Sequence, residues 1–203
     1  MFMNHRFLRR PRRHGQRGVS LIELLVTLTV MTILLAVAVP GMQSFILSNR
    51  LRNLGNDFTA AVQRSRSEAM TQNQCVVLCM SSTTGNAAPF CQSTGTNWAI
   101  GWVAYRLPTC DTDDRPTTTA TATTAAPNLV FTQPASTTSL RLNTASTVRH
   151  IMFTPRGIIN LSAADRFNLQ DTNATSAQNT QYGRSICLDK VGRTRNITLA
   201  ASC

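Results

Sequence analysis

The sequence predicts an α+β protein: a long N-terminal helix, apolar all round in its first half and amphipathic in its second, packed on an antiparallel β-sheet domain. Three observations carry that reading. Val19 to Val39 is an apolar run whose one charged member is Glu23. Beyond it, Leu47, Leu51, Leu54, Phe58, Ala61 and Val62 recur at three- and four-residue steps, the period of a helix with one buried face. From Gln74 onward the period becomes that of strands separated by turn-forming clusters. Helix first and strands after is an α+β order.

The elements follow in turn. Residues 1–18 form a short leader ending in Gly18, with six arginines and no acid. The apolar run after it, at 1.5 Å per residue, makes a helix of roughly 30 Å, the thickness of a bilayer core. Basic residues beside such a run stay on the cytoplasmic side and set its orientation. The whole chain carries a formal charge of +11, and without the leader this falls to +5, so much of the charge reads as targeting and not as a nucleic-acid surface. Pro40 and Gly41 close the first half of the helix, residues 19–40, and weaken it there. The second half, residues 41–72, sets Arg50, Arg52, Asp57, Arg64, Arg66 and Glu68 between its apolar positions.

Residues 73–203 form the β-rich domain. Cys75–Met80 reads as a strand and Ser81–Asn86 as a turn. Trp98–Tyr105, aromatic and β-branched, is the best strand candidate, with Trp98 and Trp102 on one face. A Thr/Ala-rich loop lies near residues 109–147, its Pro116–Pro127 portion contributing little core. Asn128–Thr132, Ser139–Leu142 and Val148–Phe153 are short strands. A polar stretch, Gln170–Gln181, precedes a final hairpin of Arg184–Leu188 and Thr194–Leu199, turned by Asp189–Arg193.

All six cysteines, Cys75, Cys79, Cys91, Cys110, Cys187 and Cys203, lie after the apolar run. Such usage in a polar domain suits disulfides in an oxidising compartment. Cys79 with Cys91, and Cys187 with Cys203, each flank a turn or hairpin, which leaves Cys75 and Cys110 over, free to pair with each other or to stay unpaired. Zinc is the rival reading, but the three histidines, His5, His14 and His150, form no ligand spacing with them. Asp111, Asp113 and Asp114 lack the spacing and glycine of a calcium loop. No metal and no cofactor is therefore expected. Nor does the sequence hold a paired-carboxylate cleft, a phosphate loop or a nucleophile–base arrangement. The expectation is a protein that is not an enzyme.

The most informative junction is Arg17-Gly18-Val19-Ser20-Leu21-Ile22-Glu23. A secretory signal is cut after its apolar run. Here the basic flank and small residue lie before it, so cleavage after Gly18 leaves the helix on the mature chain. The stretch resembles the leader of type IV pilins and type II secretion pseudopilins. That resemblance implies that a prepilin peptidase cuts between Gly18 and Val19 and methylates the new amino group. Glu23 matches the family's glutamate at the fifth mature position, and Pro40 its frequent proline. Valine at the first mature position departs from the family's usual phenylalanine or methionine.

A carboxylate in hydrocarbon costs several kcal/mol unless paired, and a neighbouring subunit's α-amino group is the partner the resemblance implies for Glu23. The rival is an ordinary glutamate in the headgroup layer. Further matches, Cys79…Cys91, Trp98-x-x-Gly101-Trp102-Val103, Ile151-x-Phe153-x-x-x-Gly157 and Cys187…Gly192-Arg193…Cys203, resemble FimT-like minor pilins and GspH-like pseudopilins.

Gly192-Arg193-Thr194-Arg195 resembles the motif by which FimT-like minor pilins bind DNA. Arg193 and Arg195, two apart in an extended segment, leave on one face. Lys190 and Arg184 lie in the same hairpin, and Gly192 lets the backbone approach a phosphate. Ile197 and Leu199 continue the alternation and want a core, so either the arginines belong to the turn or the strand twists or bulges between Arg195 and Ile197. The bland alternative is a turn glycine with solvated arginines.

The resemblance implies a minor pilin, single-pass in the bacterial inner membrane with its C-terminal domain in the periplasm. After assembly it would enter a type IV pilus. Its partners would be other pilins, the prepilin peptidase, the inner-membrane assembly platform and double-stranded DNA taken up in natural transformation. A GspH-like pseudopilin of type II secretion, and a membrane-tethered binding module that does not polymerise, are the alternatives.

Overall fold

The computed structural model describes residues 18–136, 139–144, 146–160 and 165–203. The leader up to residue 17, and positions 137, 138 and 145 of the Thr/Ala-rich segment, lie outside the described residues. By its internal contacts the chain divides into two units, one up to Met42 and one spanning Gln43–Cys203.

The first unit is helical. Helix α1 spans Leu21–Gln72, and its backbone continues through positions 40 and 41. Ser20 caps it: its Oγ accepts the Glu23 N–H at 3.3 Å and its carbonyl accepts the Leu24 N–H at 3.1 Å. This is half of a Ser-x-x-Glu capping box, and it sets an acid in the positive first turn. Thr27, Thr29 and Thr32 return their hydroxyls to carbonyls three residues back, at 2.8–2.9 Å, so no hydroxyl there needs water. The apolar side chains of this stretch, such as Leu21, Ile33 and Val37, are exposed, and the helix is long and apolar enough to cross a membrane.

In the second unit the amphipathic face of α1 is buried: Leu47, Leu51, Leu54, Phe58, Ala61 and Val62, with Ser65 and Ala69 continuing it. Among the described residues eight strands follow: β1 (Cys75–Met80), β2 (Trp102–Leu107), β3 (Leu129–Gln133), β4 (Leu140–Thr144), β5 (His150–Phe153), β6 (Asp165–Asp171), β7 (Arg184–Leu188) and β8 (Thr194–Thr198). They form two antiparallel sheets, ordered β3-β2-β1-β5 and β4-β6-β7-β8.

One face of each sheet joins α1 in the main core. Phe58 sits at its centre, edge-on to Trp98 at 5.4 Å and Trp102 at 5.7 Å and tilted against Phe167 at 4.6 Å.

Three expectations are corrected. Trp98 is not in a strand: Trp98–Ile100 is a short 3-10 turn, capped by the Asn97 side chain and ended by Gly101 at φ 113°. The two tryptophans share the Phe58 pocket from different elements. Pro116–Pro127 is not simply a loop. It contains helix α2 (Thr119–Ala125), whose Ala122 is fully buried and whose Ala125 packs on a second core. The polar stretch before the hairpin holds the end of β6 and helix α3 (Ser176–Tyr182).

The second core lies on the other face of β1 and β2, made of Val77, Val103, Tyr105, Leu107 and Met152. Loops cover it and are pinned there. Cys75 and Cys79 project from this face of β1, and they bond Cys110 and Cys91 respectively. The Cys91 N–H donates to Pro116 O at 2.8 Å, joining the two covering segments. Tyr105 donates its hydroxyl to Pro89 O, and burial raises its pKa above the ordinary phenol value. Asp111 caps a short turn, Asp113 lies 3.7 Å from Arg115, and Asp114 accepts from Thr109 Oγ1, so these carboxylates serve the loop itself.

Candidate nucleic-acid interface

The β7–β8 hairpin is closed by Asp189. Its Oδ1 accepts the N–H groups of Val191 at 3.1 Å and Arg193 at 2.8 Å, and its carbonyl accepts that of Gly192 at 3.0 Å. The hairpin's only acid is thereby committed to backbone. Register then places the side chains. Leu188 pairs with Thr194, Cys187 with Arg195 and Ile186 with Asn196. Paired residues share a face, so Ile186 and Leu188 point to the α1 core while Cys187 and Arg195 point away from it. The Asp189 N–H donates to Arg193 O at 3.1 Å, which continues the ladder and puts Arg193 on the side of Arg195.

Arg193 and Arg195 are both exposed and line one cleft of about 250 Å³ with Cys187, Asp189 and Cys203. The Cys187–Cys203 disulfide forms its wall. Among the described residues neither arginine takes part in an ion pair. Lys190 is exposed at the turn.

Two residues grouped with them from the sequence are placed differently. Arg184 pairs with Thr198 and has the parity of Ile186, so it lies on the opposite face of the sheet. There it lines a separate cleft with Leu51, Arg52, Gly55, Asn56 and Asn196. Gly192 is buried, at φ 73°, and a Cβ on it would meet Arg66 Cδ at 3.1 Å and Gly157 O at 3.4 Å. Its left-handed backbone lets it pack closely against Arg66 and Gly157 inside the protein. The same Arg66 donates Nε to Gly157 O at 3.0 Å, and the Ile159 N–H donates to Lys190 O at 3.1 Å. The hairpin tip is thus bolted to α1 and to the 154–159 turn. Of the alternatives raised for this segment, the bulge is not seen: β8 keeps regular register from Thr194 to Thr198, and Ile197 stays half-buried on the outer face.

Sequence reasoning missed Arg166 on that face. It is half-buried, with Nε bonded to Asn168 Oδ1 at 2.9 Å and both Nε and a terminal nitrogen to Ser185 Oγ at 3.0–3.1 Å. That terminal nitrogen also donates to Leu199 O, so Arg166 fastens β6 to the chain's end. The polar alternation Arg166-x-Asn168-x-Gln170 was the available signal.

At the other end of the chain, Gly18 and Val19 precede the Ser20 cap and are exposed, and Glu23 is exposed in the first turn of α1.

A family model described as type II transport protein GspH matches residues 54–192, and the prokaryotic N-terminal methylation motif matches residues 13–39. The chain belongs to the GspH family. Two crystal structures of the type IV minor pilin FimU from Pseudomonas aeruginosa strain PAO1 share its fold. One is 15% identical with a TM-score of 0.50, covering 75% of this chain and 96% of that one. The other is 16% identical with a TM-score of 0.53, covering 78% and 96%. No curated protein matches the chain. This GspH-family protein is type IV pilin-like, a minor pilin or pseudopilin by family and fold. Its family is structural and non-enzymatic, and membership implies association with other pilins and with a prepilin peptidase.

Proposed function

We propose that this GspH-family protein is a minor pilin that enters a type IV pilus and holds extracellular double-stranded DNA for uptake. Before assembly it sits in the inner membrane, the domain Gln43–Cys203 in the periplasm, delivered to the assembly platform after cleavage between Gly18 and Val19. Glu23 then meets a neighbouring subunit's α-amino group and sets axial register. The observation that carries the DNA reading is the exposed Arg193–Arg195 pair, in no ion pair among the described residues, on one face of a hairpin whose single carboxylate accepts two backbone N–H groups. Guanidinium groups so placed bridge phosphate oxygens, with Lys190 as a further point charge.

Two or three phosphate contacts imply weak binding without sequence preference. The salt slope is then about −1.8 to −2.7, so affinity falls roughly 10- to 40-fold between 50 and 200 mM salt. Fluorescence anisotropy with random duplex DNA at low salt tests this. Arg193→Ala with Arg195→Ala should abolish binding while the circular dichroism spectrum stays unchanged. Equal affinity of both proteins would overturn the reading. It would favour a pseudopilin of a type II secretion filament, which the description of the matching family supports.

A further inference from the structure

The described residues hold a second basic concavity, of about 460 Å³, away from the hairpin arginines. Four sequence-distant segments build it around β1. The Met80 N–H donates to Arg149 O at 3.0 Å, and Met80 O accepts the Gln92 N–H at 2.7 Å. Cys91, bonded to Cys79, donates to Pro116 O beside Arg115. Asn160 runs along β5, its N–H donating to Met152 O at 3.0 Å. The result sets Arg115, Arg149 and His150 around one space with Gln92, Ser93 and Asn160.

The charges there are unbalanced. Arg115 donates to Thr112 O, and Asp113, an exposed side chain, lies 3.7 Å from it. Arg149 spends Nε on Gly95 O at 3.0 Å, which leaves its terminal nitrogens without a partner among the described residues. Burial holds the His150 pKa below its ordinary value, Arg115 and Arg149 lower it further, and Asp113 opposes them. Gln92 Oε1 is buried without a hydrogen-bond partner among the described residues. Two guanidinium groups, an imidazole and hydroxyl and amide groups converging on one space are the chemistry of an oxyanion site.

We propose that this concavity binds a phosphate group, free or carried on a small molecule, held by Arg115 and Arg149 and joined by His150 when the imidazole is protonated. The site does not rest on the DNA reading. A bound dianion favours the imidazolium, so phosphate raises the His150 pKa. By the same linkage, affinity rises as pH falls through that pKa.

Histidine-labelled full-length protein in detergent micelles gives a direct reporter. His150 is assigned by its loss in His150→Gln and titrated by NMR in sodium phosphate or sodium chloride at matched ionic strength. Phosphate should move the His150 midpoint up saturably, by about half a unit or more, and chloride should not. Arg149→Gln, checked for folding by circular dichroism, should abolish the movement. Adenosine 5′-monophosphate saturating about tenfold below inorganic phosphate would identify an esterified ligand, and equal saturation a free anion; either supports the site. No phosphate-specific movement in the wild type, or full movement in folded Arg149→Gln, would overturn it.

Discussion

Removing the Cys187–Cys203 bond separates what the disulfide does for stability from what the hairpin does for function. The bond closes a loop of sequence separation 16 at the domain's C-terminus. In the chain-entropy model such a loop contributes about 3 kcal/mol, by confining the unfolded chain. Cys187 is buried and Cys203 exposed, so Cys187→Ala with Cys203→Ser leaves no buried hydroxyl. For a domain of this size each kcal/mol moves Tm by roughly 2–4 °C, so the variant should melt about 6–12 °C lower. Thermal unfolding of Gln43–Cys203 followed by circular dichroism measures it, that fragment containing both cores. The hairpin is held by the β7–β8 register, by Asp189 and by Gly192 against Arg66, none of which needs the bond. DNA affinity at low temperature should therefore fall by no more than about threefold, or ~0.6 kcal/mol. A Tm within about 2 °C of wild type would refute the loop-entropy argument. Loss of DNA binding as complete as in the double arginine variant would show that the disulfide, and not the register, positions the arginines.

Three further outcomes are expected. Mass spectrometry of protein extracted from membranes with an active prepilin peptidase should find an N-methylated terminus at Val19, and an intact leader would contradict that processing. Glu23→Val makes the helix more apolar, so membrane insertion should persist. It removes the amine's partner, so the variant should be depleted from sheared pili, and wild-type levels there would argue against the register role. Gly192→Ala forces a Cβ into the left-handed region and against Arg66, which should cost about 1–2 kcal/mol in denaturant unfolding. An unchanged midpoint would show that the hairpin tip is not fixed by that contact.

The helix was legible in the sequence because its burial is periodic and local. All six residues of the amphipathic stripe, from Leu47 to Val62, are in the core. Strands β1 and β7 were legible because they are short apolar runs with turn signals beyond them. The two-sheet arrangement was not, since partner choice between strands is a long-range matter that a single strand's composition does not encode. Strand β6 hid in plain alternation: Phe167 and Leu169 face the core, but Asp165 and Asp171 at its ends share that face and are buried, so the apolar stripe that marks a strand is only two residues long. Helices α2 and α3 mix the helix formers Ala and Gln with Thr, Ser and Asn, which dilutes their propensity signal. Their caps were readable: Thr118 and Thr175 each form a capping box with the residue three positions on, Thr121 and Gln178.

Within the candidate site, the shared face of Arg193 and Arg195 followed from strand periodicity alone, whereas the misplacement of Arg184 came from counting charge along the hairpin instead of parity across it. Ile186 and Leu188 are apolar and must face the core, which already sends Arg184 to that side. Gly192 illustrates the limit of such reasoning. A glycine beside arginines has two physical uses, close approach by a ligand or close approach by the protein itself, and nothing local distinguishes them. The second is realised here because Gly157, 35 positions earlier, brings its carbonyl to the same point, and Arg66 of α1 bonds to that carbonyl. The consequence is functional. In the proposed DNA contact, a pair of guanidinium groups on a fixed hairpin would lose less conformational entropy on meeting a phosphate backbone than the same pair on a free loop, so the packing of a buried glycine would set how strongly two exposed arginines bind.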